Sequence, residues 1–166
     1  MNSVPSWRAG QTVTGNIVEI VDPRTLKAGP IPRDIQTALL SEPFIESDAP
    51  EIIAETAKAL ERVGENATAR KKAELLVRYV NAVLEKKPTM SIPSAVEVLR
   101  TRVGDCNEHT ALYVAMARAA KIPARVAIGL VSMRGAFYYH AWPEVFVGDA
   151  TSTTDGRTGV WIPVDP

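Results

Sequence analysis

Apolar and polar positions alternate with two different periods along this chain, and the change of period divides it. From Ala49 to Ala120 the apolar positions recur every three or four residues, which is helical spacing. From Ala124 onward they run in short blocks of the length and β-branched character of strands. Asp48, Pro50 and Glu51 predict a helix start, with Asp48 as cap and Pro50 in the first turn. Ile53, Ala57 and Leu60 follow on one face, and Gly64 is the expected stop. A second helix is expected over 67–86, with Ala69, Ala73, Leu76, Val80 and Val83 as its apolar stripe. Lys86 and Lys87 would suit its negative end, and Pro88 would terminate it. Ser94 and Glu97 read as the capping box of a short third helix.

The fourth helix carries the most information. Asp105 and Glu108 form another capping box, and 110–120 is apolar almost all round. A helix with no polar face is a buried helix. Strands are expected at 124–131, with two apolar faces, at 137–147 and at 160–164. Gly135 and the stretch from Gly148 to Gly159 supply the turns. Helices first and strands after predict an α+β fold with an antiparallel sheet. Residues 1–40 stand apart: a strand at 12–21, then an irregular Gly/Pro-rich arm, the pattern of the tail of a preceding domain. The catalytic-type domain would be 41–166, and the ending Val164-Asp165-Pro166 looks like a cut through a longer chain.

Composition removes several function classes. Lys plus Arg and Asp plus Glu are both 19, so the formal net charge is zero and offers no attraction for nucleic acid. No apolar run reaches the roughly 18 residues of a membrane span, and Met1 to Gln11 lacks the layout of a signal peptide. A lone cysteine, Cys106, excludes an internal disulfide and a Cys-rich zinc site.

Cys106 would be the first residue of the buried helix. The start of a helix has partial positive charge and unpaired N–H groups. That field favours thiolate over thiol, and the same N–H groups can hold an oxyanion. A free cysteine is also commonly a small core residue, but a capped helix start is a polar place. Acyl transfer further needs a base. His109 lies on the same helix and suits a supporting hydrogen bond better than proton transfer from Cys106. His140 lies on a strand, with Tyr138 and Trp142 on the same face by period-two alternation. A strand histidine alone is more often structural, but opposite a helix-start cysteine it is the natural general base. Asp165 follows an apolar strand and could orient His140, or equally be a turn residue before Pro166. Cys106, His109 and Glu144 form an irregular and poor metal set, and no phosphate-binding glycine motif is present.

Four ordered segments carry a resemblance. They are Thr101-Arg102-Val103-Gly104-Asp105-Cys106-Asn107-Glu108-His109, then residues 117–126, then His140-Ala141-Trp142-Pro143-Glu144-Val145, then Trp161-Ile162-Pro163-Val164-Asp165-Pro166. In that order the chain resembles the transglutaminase-like superfamily, in particular bacterial members described as predicted cysteine proteases. The match is close over roughly residues 90–166. The resemblance implies a papain-like fold with Cys106 as nucleophile, His140 as base and Asp165 as orienting acid. It implies a peptide or protein substrate, no cofactor and no metal. The calcium sites of animal transglutaminases and the zinc cysteines of peptide N-glycanases have no match here. Lys121 stands where many relatives have a glycine suited to a left-handed helix stop. Pro143 stands where relatives often lack proline, and predicts an edge or bulge just past the site. Hydrolysis is favoured over amine transfer. An arylamine N-acetyltransferase-like enzyme and a non-catalytic peptide-binding module of the same fold are the alternatives.

Overall fold

The computed structural model describes residues 10–64, 67–89, 94–148 and 158–166. The segment 12–21, expected as one strand, is a hairpin. β1 (Gln11–Thr14) and β2 (Ile17–Ile20) pair antiparallel across Gly15 and Asn16. Gly15 has φ +60 while Asn16 is not in the positive-φ region, the pattern of a type II′ turn that suits strand twist. A Gly-Asn pair between two β-branched runs is itself a hairpin signal. Further on, β3 (Gly29–Pro30) pairs with the last strand of the chain, and a 3-10 turn at Ile35–Leu39 buries Ile35 and Ala38.

Three helices follow, with caps that differ from the local signals. α1 (Pro50–Leu60) starts on Pro50, whose missing N–H costs nothing there. Its cap position is Ala49, not Asp48, because the Asp48 carboxylate accepts a hydrogen bond from Ser41 instead. α2 (Ala69–Val83) is capped by Thr68, which accepts from the Lys71 N–H, and buries Ala73, Leu76 and Val80 as expected. It ends before Lys86. Leu84 turns inward, and β4 (Glu85–Lys86) pairs in parallel with β5 (Val103–Gly104). That pairing outweighs the helix propensity of lysine. α3 (Ala95–Thr101) follows Ser94, whose hydroxyl donates to Glu46 at 2.6 Å rather than capping the helix.

α4 (Cys106–Ala119) is the centre of the core. Every residue from Glu108 to Arg118 is buried, so no face is left for water. The other three helices pack on it, and β6 (Ala124–Met133) and β7 (Ala136–Gly148) complete its surround. Arg118 braces its far end: Nε donates to the Ala124 carbonyl at 3.0 Å and Nη1 to the Leu40 carbonyl at 2.6 Å and Glu42 at 2.8 Å. The helix closes in a Schellman motif. Ile122 N–H donates to the Ala117 carbonyl and Lys121 N–H to the Arg118 carbonyl, each at 2.9 Å. Lys121 holds the left-handed position with φ +64, where glycine was the expected residue.

The sheet has the order β3-β8-β7-β6, with β8 at Thr158–Pro163, and every pairing is antiparallel. Ala124, Val145, Val147, Val160 and Ile162 face the helices. By alternation Val126, Ile128 and Leu130 continue the face of Ala124 but are exposed, whereas Ala127 on the second face is fully buried. Pro143 marks a change of state along β7. From Glu144 to Gly148 that strand pairs with β8, and at Glu144 and Val145 with β6 as well. At Pro143 the β8 ladder stops after one bond, from Val164 N–H to the Pro143 carbonyl. Proline has no N–H to return. From Ala136 to Pro143 the strand ladders with β6 alone, so the edge lies on the stretch that holds His140 and ends at Pro143, rather than just past the site as expected.

Candidate active site

Cys106 is the first residue of α4, and the capping box before it is complete. Asp105 Oδ1 accepts from the Asn107 N–H at 3.1 Å, and Glu108 Oε2 accepts from the Asp105 N–H at 3.0 Å. Gly104 makes this possible. A Cβ there would sit 2.2 Å from the Glu108 Cβ, so any side chain would displace the carboxylate that closes the box. Glu108 is 2% exposed and also accepts from the Thr89 hydroxyl. Burial pushes its carboxyl up, but the hydrogen bonds from Thr89 and Asp105 prevail and hold it below the ordinary value. Asp105 goes the other way. Burial, and then the neighbouring Glu108, raise it against the opposing Asn107 N–H. By position, the Cys106 N–H has no acceptor within the helix. The residue as a whole is half-buried.

One cavity of about 370 Å³ brings together Cys106, His140 and Asp165. Gly104, Asp105 and His109 line it from the α4 side, and Lys86, Lys87 and Pro88 from the segment after α2. The two lysines, expected at a helix end, therefore border the thiol. His140 Nε2 lies 3.2 Å from Asp165 Oδ2. A carboxylate only accepts, so the Nε2 proton is donated to it and Nδ1 keeps its lone pair. The pair is open to solvent, at 23% and 70% side-chain exposure, and pairs so exposed add little stability. Their contact fixes the tautomer and orientation of the ring. Trp142 stacks on His140 with centroids 5.9 Å apart and 23° between planes, as the alternation of 138, 140 and 142 implied.

His109 is tied to the helix start. Its Nδ1–H donates to the Asp105 carbonyl at 2.7 Å, and its buried Nε2 has no partner among the described residues. Glu144 does not join it. Arg125 binds Glu144 at 2.7 Å and lies over the Trp161 ring at 4.1 Å. Among the described residues no three His, Cys, Asp or Glu side chains are placed to hold a metal ion, which removes the set Cys106, His109 and Glu144. A thiol at the positive end of a helix, beside an imidazole held by a carboxylate, has the groups that acyl transfer requires.

The family model described as transglutaminase-like superfamily matches residues 55–166. The chain belongs to the transglutaminase-like superfamily. No curated protein matches it. Among solved structures, this transglutaminase-like chain is similar to a candidate cysteine protease from Cytophaga hutchinsonii, with 23% identity, a TM-score of 0.62, and coverage of 79% of this chain and 47% of that one. It is also similar to the periplasmic domain of TgpA from Pseudomonas aeruginosa, with 22% identity, a TM-score of 0.53, and coverage of 82% and 47%. At these identities the likeness is one of fold. The transglutaminase-like chain spans about half the length of either neighbour. Among its described residues no helix is long and apolar enough to cross a membrane.

Proposed function

We propose that this domain cleaves amide bonds in peptides or proteins through a Cys-His-Asp triad of Cys106, His140 and Asp165. The observation that carries the proposal is the single cavity lined by all three, with His140 bound to Asp165 through Nε2. His140 Nδ1 takes the thiol proton as Sγ attacks the carbonyl carbon. The carbonyl π electrons move to oxygen, and the helix-start N–H groups stabilise that charge. The tetrahedral species collapses, the C–N bond breaks, and His140 returns the proton to the leaving nitrogen. A Cys106 thioester remains. Water then attacks it and His140 accepts the water proton; the C–S bond breaks to release a carboxylic acid, and His140 passes that proton to the departing sulfur, restoring the thiol. A primary amine in place of water would give transfer instead. The solvent-open His140–Asp165 pair gives water access, which supports hydrolysis.

The test incubates the domain with a protein substrate and a labelled primary amine, with Cys106→Ala as control. Mass spectrometry scores cleavage, deamidation and amine incorporation separately, and acid quenching traps an acyl adduct on Cys106. Cleavage and adduct are expected with the wild-type chain and neither with Cys106→Ala. Full activity in that variant would mean the triad is wrong. Transfer of acetyl from acetyl-CoA to an arylamine would favour the acetyltransferase reading, and peptide binding with no adduct the binding module.

A further inference from the structure

A second cavity, of about 310 Å³, adjoins the first. His140 and Asp165 line both, whereas Cys106 lines only the first. The rest of the second wall is apolar: Leu130 and Val131 from β6, Trp142 from β7, and Pro163 and Val164 from the end of β8. Val131 is exposed and shares a sheet face with Gly129, His140 and Trp142, so its side chain is presented to the groove rather than packed into the core. Exposed apolar groups gathered beside a polar site mark a surface for a ligand. Gly129 shapes the groove, since only a residue without Cβ lets the Trp142 ring approach β6 so closely.

We infer that this groove receives the side chain on the amine side of the cleaved amide, and selects an apolar residue there. The inference rests on the acyl-transfer reading above. In that chemistry His140 must come within about 3 Å of the leaving nitrogen to protonate it. Whatever that nitrogen carries continues past the imidazole, away from Cys106. The groove starts at that point. Its one charged lining residue is Asp165, which repels an acidic side chain and leaves an apolar one undisturbed.

The residue selected becomes the new N-terminal residue of the product, so it can be counted directly. A randomised peptide pool is digested with the wild-type chain, Val131→Asp and Cys106→Ala, and the new N-termini are identified by mass spectrometry. Leu, Ile, Val and Phe are expected to exceed Gly, Asp and Glu by about tenfold, within what an apolar pocket can discriminate. Val131→Asp is expected to erase that preference. Val131 is exposed, so this variant should fold. Cys106-dependent cutting with no preference at this position overturns the inference. Cutting that survives in Cys106→Ala, or no cutting at all, instead counts against the acyl-transfer reading. The groove is then judged without turnover. NMR titration with leucinamide and with glycinamide should shift the Trp142 indole N–H with leucinamide alone, and not in Val131→Asp. No shift with leucinamide overturns the inference by this route too.

Discussion

Trp142 can approach β6 only because residue 129 is glycine: a Cβ there would lie 2.8 Å from the indole ring. The same indole stacks on His140. The position of the imidazole thus depends on a methyl group that is absent from the neighbouring strand. Gly129→Ala is expected to lower kcat of Cys106-dependent hydrolysis by about 10- to 100-fold, since small misplacements of reacting groups are costly. Overpacking should also cost about 1–3 kcal/mol of stability. Adding Trp142→Phe, with its smaller ring, should recover much of both. Steady-state kinetics and urea unfolding on the single and double variants check this, and an unchanged kcat in Gly129→Ala would count against the coupling.

Asp165 offers a sharper separation of activity from stability. Its side chain is 70% exposed, so Asp165→Asn should leave the unfolding midpoint almost unmoved, within about 0.5 kcal/mol. The amide can turn its NH₂ toward His140 and disfavour the Nε2–H tautomer. A fall in kcat of about 10²- to 10⁴-fold is expected. A destabilised variant of normal kcat would make Asp165 a structural residue.

The capping box makes a pH-dependent prediction. Glu108 is held below its ordinary 4.5 in the folded chain. Its contribution is fully present above that value and is lost as the pH falls through the lower folded one. Asp105 has the opposite sign. It is raised above 3.8, so whatever stability it gives is lost as the pH rises through its folded value. Glu108→Gln should therefore be less stable than the wild-type chain at pH 7, by about 1–3 kcal/mol. The gap should narrow below pH 4.5, measured by urea unfolding across the range. A gap that ignores pH would mean that Glu108 acts by shape alone.

Lys121 occupies a backbone position with φ +64. A side chain there costs about 1–2 kcal/mol relative to glycine, partly offset by the greater freedom of glycine in the unfolded chain. Lys121→Gly should raise Tm by about 2–4 °C, and Lys121→Ala should not. Thermal unfolding of both variants decides it.

What could be read from the sequence was what is decided locally. The buried helix, its Asp105 and Glu108 box and the position of Cys106 at its start all follow from adjacent residues. What could not be read depended on distant partners. Glu85 and Lys86 left the helix because Val103 and Gly104 pair with them. Asp48 and Ser94 gave up capping because Ser41 and Glu46 bind them. Gly104 and Gly129 look like ordinary loop and strand glycines until the paths of Glu108 and Trp142 are known. Asp165 depended on the family resemblance, and its 3.2 Å contact with His140 crosses from β8 to β7.

The end of the β8 ladder at Pro143 has a mechanical consequence. Cys106 is half-buried at the start of a helix whose body, from Glu108 to Arg118, is enclosed on every side. His140 sits past that ladder end, on a two-stranded ribbon running out to Ala136 and Met133. The proposed nucleophile is mounted on bedrock and the proposed base on a cantilever. Thiol–imidazole spacing is then governed by how the ribbon bends, so substitutions at its tip, far from any substrate, would tune the rate by flexing the arm that holds His140.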